Sequence, residues 1–228
     1  TANSFAPPFD DVRVRQAVAY AINVPLVIDK LYAGKARQVA TIGATSTQFY
    51  NTSLKPYPYD PDKARALLTE AGYPDGVEIS FDTFSNFLLN DKQAAEAFVN
   101  QLAEVGIKSD FFAPEWGTFW PKWLAKESQM AYMTCGNILY SATFCHNLHF
   151  TSARRGIYFN HPDLDDLLNT AVAATGAEAV KTAMWAVQAY VNENVPYIPL
   201  FELDQIFAVH SALKWTPNAD ERIYLNKA

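Results

Sequence analysis

Residues 60–84 carry, in order, a helix start, a helix stop, a tight turn and a strand. Asp60 is a preferred N-cap residue, and Pro61 sits at the first helical position, where its missing N–H is no loss. Ala64, Leu67, Leu68 and Ala71 line one apolar stripe. Gly72 suits a left-handed C-cap. In Tyr73-Pro74-Asp75-Gly76, Pro74 presets φ and Gly76 accepts a positive φ. Val77, Ile79 and Phe81 then alternate as a half-buried strand that runs to Phe84. Helical and strand patterns alternate along the rest of the chain too, which predicts an α/β class.

The remaining elements follow from the same signals. Val14, Val18, Ala21 and Ile22 predict a helix over 11–22. Asn23 caps a short helix over 24–32, with Pro25 in its first turn and Gly34 ending it. Residues 40–59 are polar, Thr-rich and broken by Pro, and read as a long surface loop. A helix over 91–105 stops at Gly106, a strand covers 107–113, a helix 116–126 and a third strand 130–134. Residues 135–160 show no clear period. Asp163 is expected to cap a helix over 164–174; a longer helix over 178–192 precedes strands at 197–201 and 205–209.

Composition narrows the function classes. Apolar residues make up 50% of the 228 and charged residues 18%, so the chain can fold around a large core. The net charge is −6 and the longest basic run is Arg154-Arg155, which sets nucleic acid aside as a partner. No apolar run approaches the ~20 residues of a membrane-spanning helix. Nucleophile elbows, phosphate-cradling glycine loops and zinc-protease helices are absent, so no enzyme activity and no cofactor are expected. The two cysteines, Cys135 and Cys145, permit one disulfide or two buried thiols. With His146 and His149 they form the one cluster that could bind metal, as a metal-binding protein or a metal-dependent enzyme would require. Their spacing lacks paired CxxC or HxxxH ligands and no helical pattern surrounds them, so no metal is expected.

Four segments together resemble one known family. They are Pro8-Phe9-Asp10-Asp11-Val12-Arg13-Val14-Arg15-Gln16-Ala17; Tyr59-Asp60-Pro61-Asp62-Lys63-Ala64 through Gly76; Gln101-Leu102 with Val105-Gly106-Ile107 and Glu115-Trp116-Gly117; and Asn160, Pro162, Leu164-Asp165 and Leu168 with Val195-Pro196 and Ile198-Pro199-Leu200. In this order they resemble the C-terminal lobe of the peptide- and nickel-type (family 5) solute-binding proteins of ABC importers. The resemblance implies the C-terminal lobe of a type II periplasmic-binding-protein-like fold, with a mixed sheet flanked by helices. Residues 1–213 would form this lobe and 214–228 would begin the return to an N-terminal lobe preceding Thr1. It also implies a periplasmic or lipid-anchored extracellular monomer that hands a small-molecule solute to a membrane permease.

Ligands of such folds lie where strand ends and helix N-termini converge. The loops at 85–92 and 136–150 have that placement. In peptide-binding members the second loop resembles Trp-x-x-Asp-x-x-Asp-Pro. In register, its Trp falls on Cys135, its first Asp on Ile138 and its Asp-Pro pair on Ser141-Ala142. Both carboxylates that would pair with a peptide ammonium are absent. The loop offers Asn137, Tyr140, Phe144, His146 and His149 instead. The expected ligand-binding residues are Asn137, Tyr140, Phe144 and His146, supported by Trp116, a set that suits a sugar, a neutral amide or an aromatic solute.

Overall fold

The computed structural model describes residues 6–134, 146, 150–152, 158, 161–212 and 215–217. The elements run α1 (Val12–Ala21), α2 (Val24–Tyr32), β1 (Ala36–Gln38), α3 (Pro61–Glu70), β2 (Val77–Asp82), α4 (Asp91–Glu104), β3 (Ile107–Phe112), α5 (Trp116–Leu124), β4 (Met130–Ala131), α6 (Pro162–Ala173), α7 (Ala177–Asn194) and β5 (Phe201–Leu203). None of the described helices is long and apolar enough to cross a membrane.

The local signals around residue 60 act as expected. Asp60 Oδ1 accepts from Lys63 N at 2.9 Å and so caps α3. At the far end Tyr73 N donates to Leu68 O at 2.8 Å, and Gly72 takes φ 94°. Gly76 N closes the turn on Tyr73 O, at φ 88°. A Cβ on Gly76 would lie 2.2 Å from Gly106 O, so only glycine lets β2 and β3 begin this close together. The cap is simple to test. Asp60→Ala is expected to destabilise the chain by about 1 kcal/mol, and Asp60→Ser to retain most of that, by chemical denaturation.

β2 lies between β3 and β4, and all three strands are parallel. The pleat sends alternate residues to opposite faces. Ile79, Phe81, Ile107 and Met130 meet α1, α3 and α4 in the main core, around Phe98 and Leu102. On the other face Ala131 joins Phe84, Phe119, Trp123 and Tyr158 beneath α5. Because the strands are parallel, their carboxyl ends at Asp82, Phe112 and Ala131 share one edge of the sheet.

A separate antiparallel pair joins β1 to β5. Parallel and antiparallel pairing thus occur in two sheets. α6 and α7 form a third core with Phe150 and Tyr197. Three side chains tie α7 to the rest through carbonyls that the helix end leaves open. Arg15 Nε donates to Asn194 O at 2.9 Å, Gln16 Nε2 to Glu193 O at 3.1 Å and the Tyr57 hydroxyl to Asn192 O at 2.9 Å. Burial lowers the Arg15 pKa and pushes the Tyr57 pKa up to about 12.

Three expectations need correction. Residues 40–59 are not simply a surface loop, since Thr41, Thr47 and Asn51 are buried. Buried and partly buried polar side chains satisfy part of its backbone. Gln188 accepts from Asn51 N and donates to Phe49 O, each at 2.8 Å, and Glu202 accepts from Thr45 N at 2.7 Å. α2 itself keeps the expected bounds 24–32, and its left-handed end takes in both Ala33, φ 49°, and Gly34, φ 72°. α6 starts at Pro162 with His161 as N-cap, and Asp163 lies inside its first turn. Finally, residues 205–209 form no strand, and 197–201 contributes only Phe201 to β5, because β1 is long enough to pair just three residues.

Candidate functional site

The first loop at the carboxyl edge of the sheet joins β2 to α4. Both of its ends are held. Thr83 N donates to Phe112 O at 3.0 Å, and Ser85 N to Pro114 O at 2.9 Å. Ser85 and Glu115 form a parallel bridge, which brings the start of α5 alongside. Asn86 and Asn90 turn the chain through left-handed conformations, φ 61° and 55°, which asparagine tolerates better than most residues. The buried Asp91 carboxylate then accepts from Phe87 N and Leu88 N, each at 2.8 Å, and from Lys92 N at 2.6 Å. Asn90 Nδ2 adds a bond to Leu31 O at 2.7 Å. The amides at the start of α4 that the sequence offers to a solute are thus partly taken by the chain's own carboxylate.

The loop so fixed holds Phe87 and Leu89 outward, 51% and 70% exposed. Phe87 stacks on Trp116, Trp116 on Trp120, Trp120 on Trp123 and Trp123 on Tyr158. Spacings of four and three residues place the three tryptophans on one face of α5. Phe84 and Phe119, both fully buried, support the row from the side. The Tyr158 hydroxyl donates to Trp123 O at 2.7 Å, and burial pushes its pKa up to about 12, so it stays a neutral donor.

Beneath the row, Asp82 ends β2. Its Oδ2 accepts from Lys122 Nζ at 2.5 Å and from the Ser128 hydroxyl. The Asp82 side chain is 1% exposed and that of Lys122 27%. Nearby, Tyr32 donates to Leu89 O at 3.3 Å. Burial raises the pKa of both Tyr32 and Tyr132.

Of the expected site residues, Trp116 lies half-buried at the loop edge, within the ring stack. His146 is fully buried, with Nε2 3.4 Å from Thr41 Oγ1 and its ring 5.6 Å from that of Phe150. Asn137, Tyr140 and Phe144 lie outside the described residues, as do Cys135, Cys145 and His149. The metal alternative therefore retains only His146 within the described residues. Among those residues no three of His, Cys, Asp or Glu gather as a metal site. Phe87, Trp120, Trp123 and Tyr158 were not among the expected site residues. The spacing of the tryptophans is readable in the chain, but nothing in it brings Phe87 and Tyr158 to the two ends of the row.

Known proteins share this architecture. DppA from Helicobacter pylori, solved with the peptide STSA, superposes with a TM-score of 0.80 at 25% identity over 88% of this chain and 40% of its own. HbpA2 from Haemophilus parasuis has the same fold, with a TM-score of 0.82 at 23% identity over 89% of this chain and 41% of its own. The fold is thus that of a lobe of the type II periplasmic binding proteins. In sequence, Heme-binding protein A of Haemophilus influenzae is 30% identical over 210 residues, 87% of this chain and 38% of that protein. Glutathione-binding protein GsiB of Escherichia coli (strain K12) is 31% identical over 222 residues, 90% of this chain and 41% of that protein. Residues 1–154 match the family described as bacterial extracellular solute-binding proteins, family 5 Middle, and the chain belongs to that family. It spans about two fifths of the length of these relatives.

Proposed function

We propose that this chain is the C-terminal lobe of the solute-binding component of an ABC importer. It captures a small solute in the cleft against a second lobe, without catalysis. It works as a monomer outside the cytoplasmic membrane, periplasmic or lipid-anchored, and passes the solute to a membrane permease. The observation that carries this reading is the loop edge at the carboxyl ends of β2 and β3. It is rigidly held and aromatic, and it stands in the crevice position where open α/β sheets take their ligands. Family membership supports it, as do relatives named for heme, glutathione and peptide. Trp116 lies on that edge, and Asn137, Tyr140 and Phe144, which follow β4 in sequence, complete the proposed contact set; His146, fully buried beside Thr41 and Phe150, is left out of it.

Calorimetry with reduced glutathione, a dipeptide and heme tests the reading, with mass spectrometry of the recovered solute. Saturable binding of one of them, with the solute returned unchanged, is the expected result. Chemical conversion of a bound solute would replace the transport reading with an enzymatic one. In the full-length protein, Tyr140→Ala and Phe144→Ala are expected to weaken the binding while leaving the melting temperature nearly unchanged.

A further inference from the structure

The row of rings along α5 has two unlike ends. Tyr158 closes one and is 1% exposed, whereas Phe87 ends the other and is 51% exposed. Centroid separations along the row are 4.6, 5.0, 5.2 and 5.6 Å, with interplanar angles of 13°, 20°, 18° and 30°. These are stacked rings, and the last of them on the open side has one face on Trp116.

The position of Phe84 shows what lies over the other face. Its ring stands 5.4 Å from Phe87 at 78° and 5.2 Å from Trp116 at 72°. A ring almost equally far from two stacked neighbours, and steeply inclined to both, lies beside the stack. Had it covered the outer face of Phe87, it would be roughly twice as far from Trp116. Phe84 therefore buttresses the row without covering its end, and among the described residues Phe84 and Trp116 are the only rings against Phe87.

That end is also prepared for a ligand. The hydrogen bonds from Phe87 N and Leu88 N to the Asp91 carboxylate fix the backbone there, so little ordering is left for binding to oppose. Residues 83–90 include no ionisable side chain. The carboxylate that follows them accepts from three backbone amides. Leu89, 70% exposed, is the apolar neighbour. A flat, apolar, uncharged surface of this kind matches the face of a planar ring better than a charged or saturated group.

We propose that the outer face of Phe87 is a subsite for a neutral, planar aromatic group of the solute, which adds one more ring to the row. The proposal rests on the solute-binding reading and specifies a class of solute for it.

The test compares naphthalene-2-carboxamide with its fully saturated decalin counterpart, two neutral amides of similar size that differ in flatness. Binding to the 228-residue chain is followed by tryptophan fluorescence and by ligand-observed NMR. The aromatic amide is expected to bind about fivefold more tightly, equivalent to ~1 kcal/mol. Phe87→Ala is expected to abolish the preference and Phe87→Tyr to keep it, with far-UV circular dichroism unchanged in both. Equal binding of the two amides, or a preference that survives Phe87→Ala, would overturn the subsite. The glutathione, dipeptide and heme titrations separate this from the parent reading. A solute bound equally by wild type and Phe87→Ala, with no preference for the flat amide, removes the subsite and leaves the solute-binding reading intact. A flat-amide preference that Phe87→Ala abolishes, with none of the three solutes bound, leaves the aromatic subsite standing and rejects glutathione, dipeptide and heme as its solutes.

Discussion

If this chain is, as proposed, one lobe of a two-lobed binder, it is expected to hold its solute at a Kd of roughly 1 mM, about a thousandfold more weakly than the two lobes together. A cleft buries most of a small ligand's surface by enclosing it from both sides. A single lobe supplies part of that contact and cannot expel water by closing. If each lobe supplies half of a micromolar binding free energy of about −8.2 kcal/mol, the remaining half corresponds to a millimolar Kd. The fixed loop at Phe87 keeps the estimate from falling further, because its backbone is ordered before the ligand arrives. Calorimetry on this chain and on the complete protein with the same solute makes the measurement. Micromolar binding by this chain alone would mean that the whole site lies within it, and the interlobe reading would be wrong.

The second large effect concerns stability at the same edge. Lys122→Met is expected to destabilise the chain by about 3 kcal/mol, because it leaves the Asp82 carboxylate buried with only the Ser128 hydroxyl among the described side chains. The figure is taken from the low end for buried pairs because Lys122 is 27% exposed and water screens part of the interaction. An ordinary exposed ion pair would lose less than about 1 kcal/mol. Adding Asp82→Asn to Lys122→Met removes the stranded charge and keeps an oxygen for Ser128. The double variant is expected to regain at least half of the loss. Chemical denaturation of the two single variants and the double variant gives the coupling. A loss below about 1 kcal/mol for Lys122→Met would place the pair with solvent-screened surface contacts. Asp82 is followed directly by Thr83, and the loop then leads to Phe87. A variant that loosens the end of β2 should therefore also lose the flat-ring preference.

The order of the elements and most of their boundaries were legible in the chain because they follow from local chemistry, whereas the family was legible only through the resemblance of four segments to known members. Asp60 bonds an amide three residues away, Gly72 and Gly76 adopt conformations that side chains resist, and Val77, Ile79 and Phe81 alternate because a strand has two faces. The exceptions share one feature, that a distant partner decides them. Residues 40–59 look like an exposed loop until Gln188 and Glu202 arrive to bond their backbone, and β5 exists only where β1 lies opposite it. The site divides in the same way. The resemblance pointed to 85–92 as one of two loops where a ligand would lie and to Trp116 as a supporting residue, and the repeat of Trp116, Trp120 and Trp123 is present in the chain for any reader. Only the tertiary structure set Phe87 at the open end of that row, Tyr158 at the closed end and Phe84 at its side. Stacking requires ring planes and centroids to coincide in space, and residues from three separate segments acquire that relation only when β2, α5 and the chain around Tyr158 have packed together.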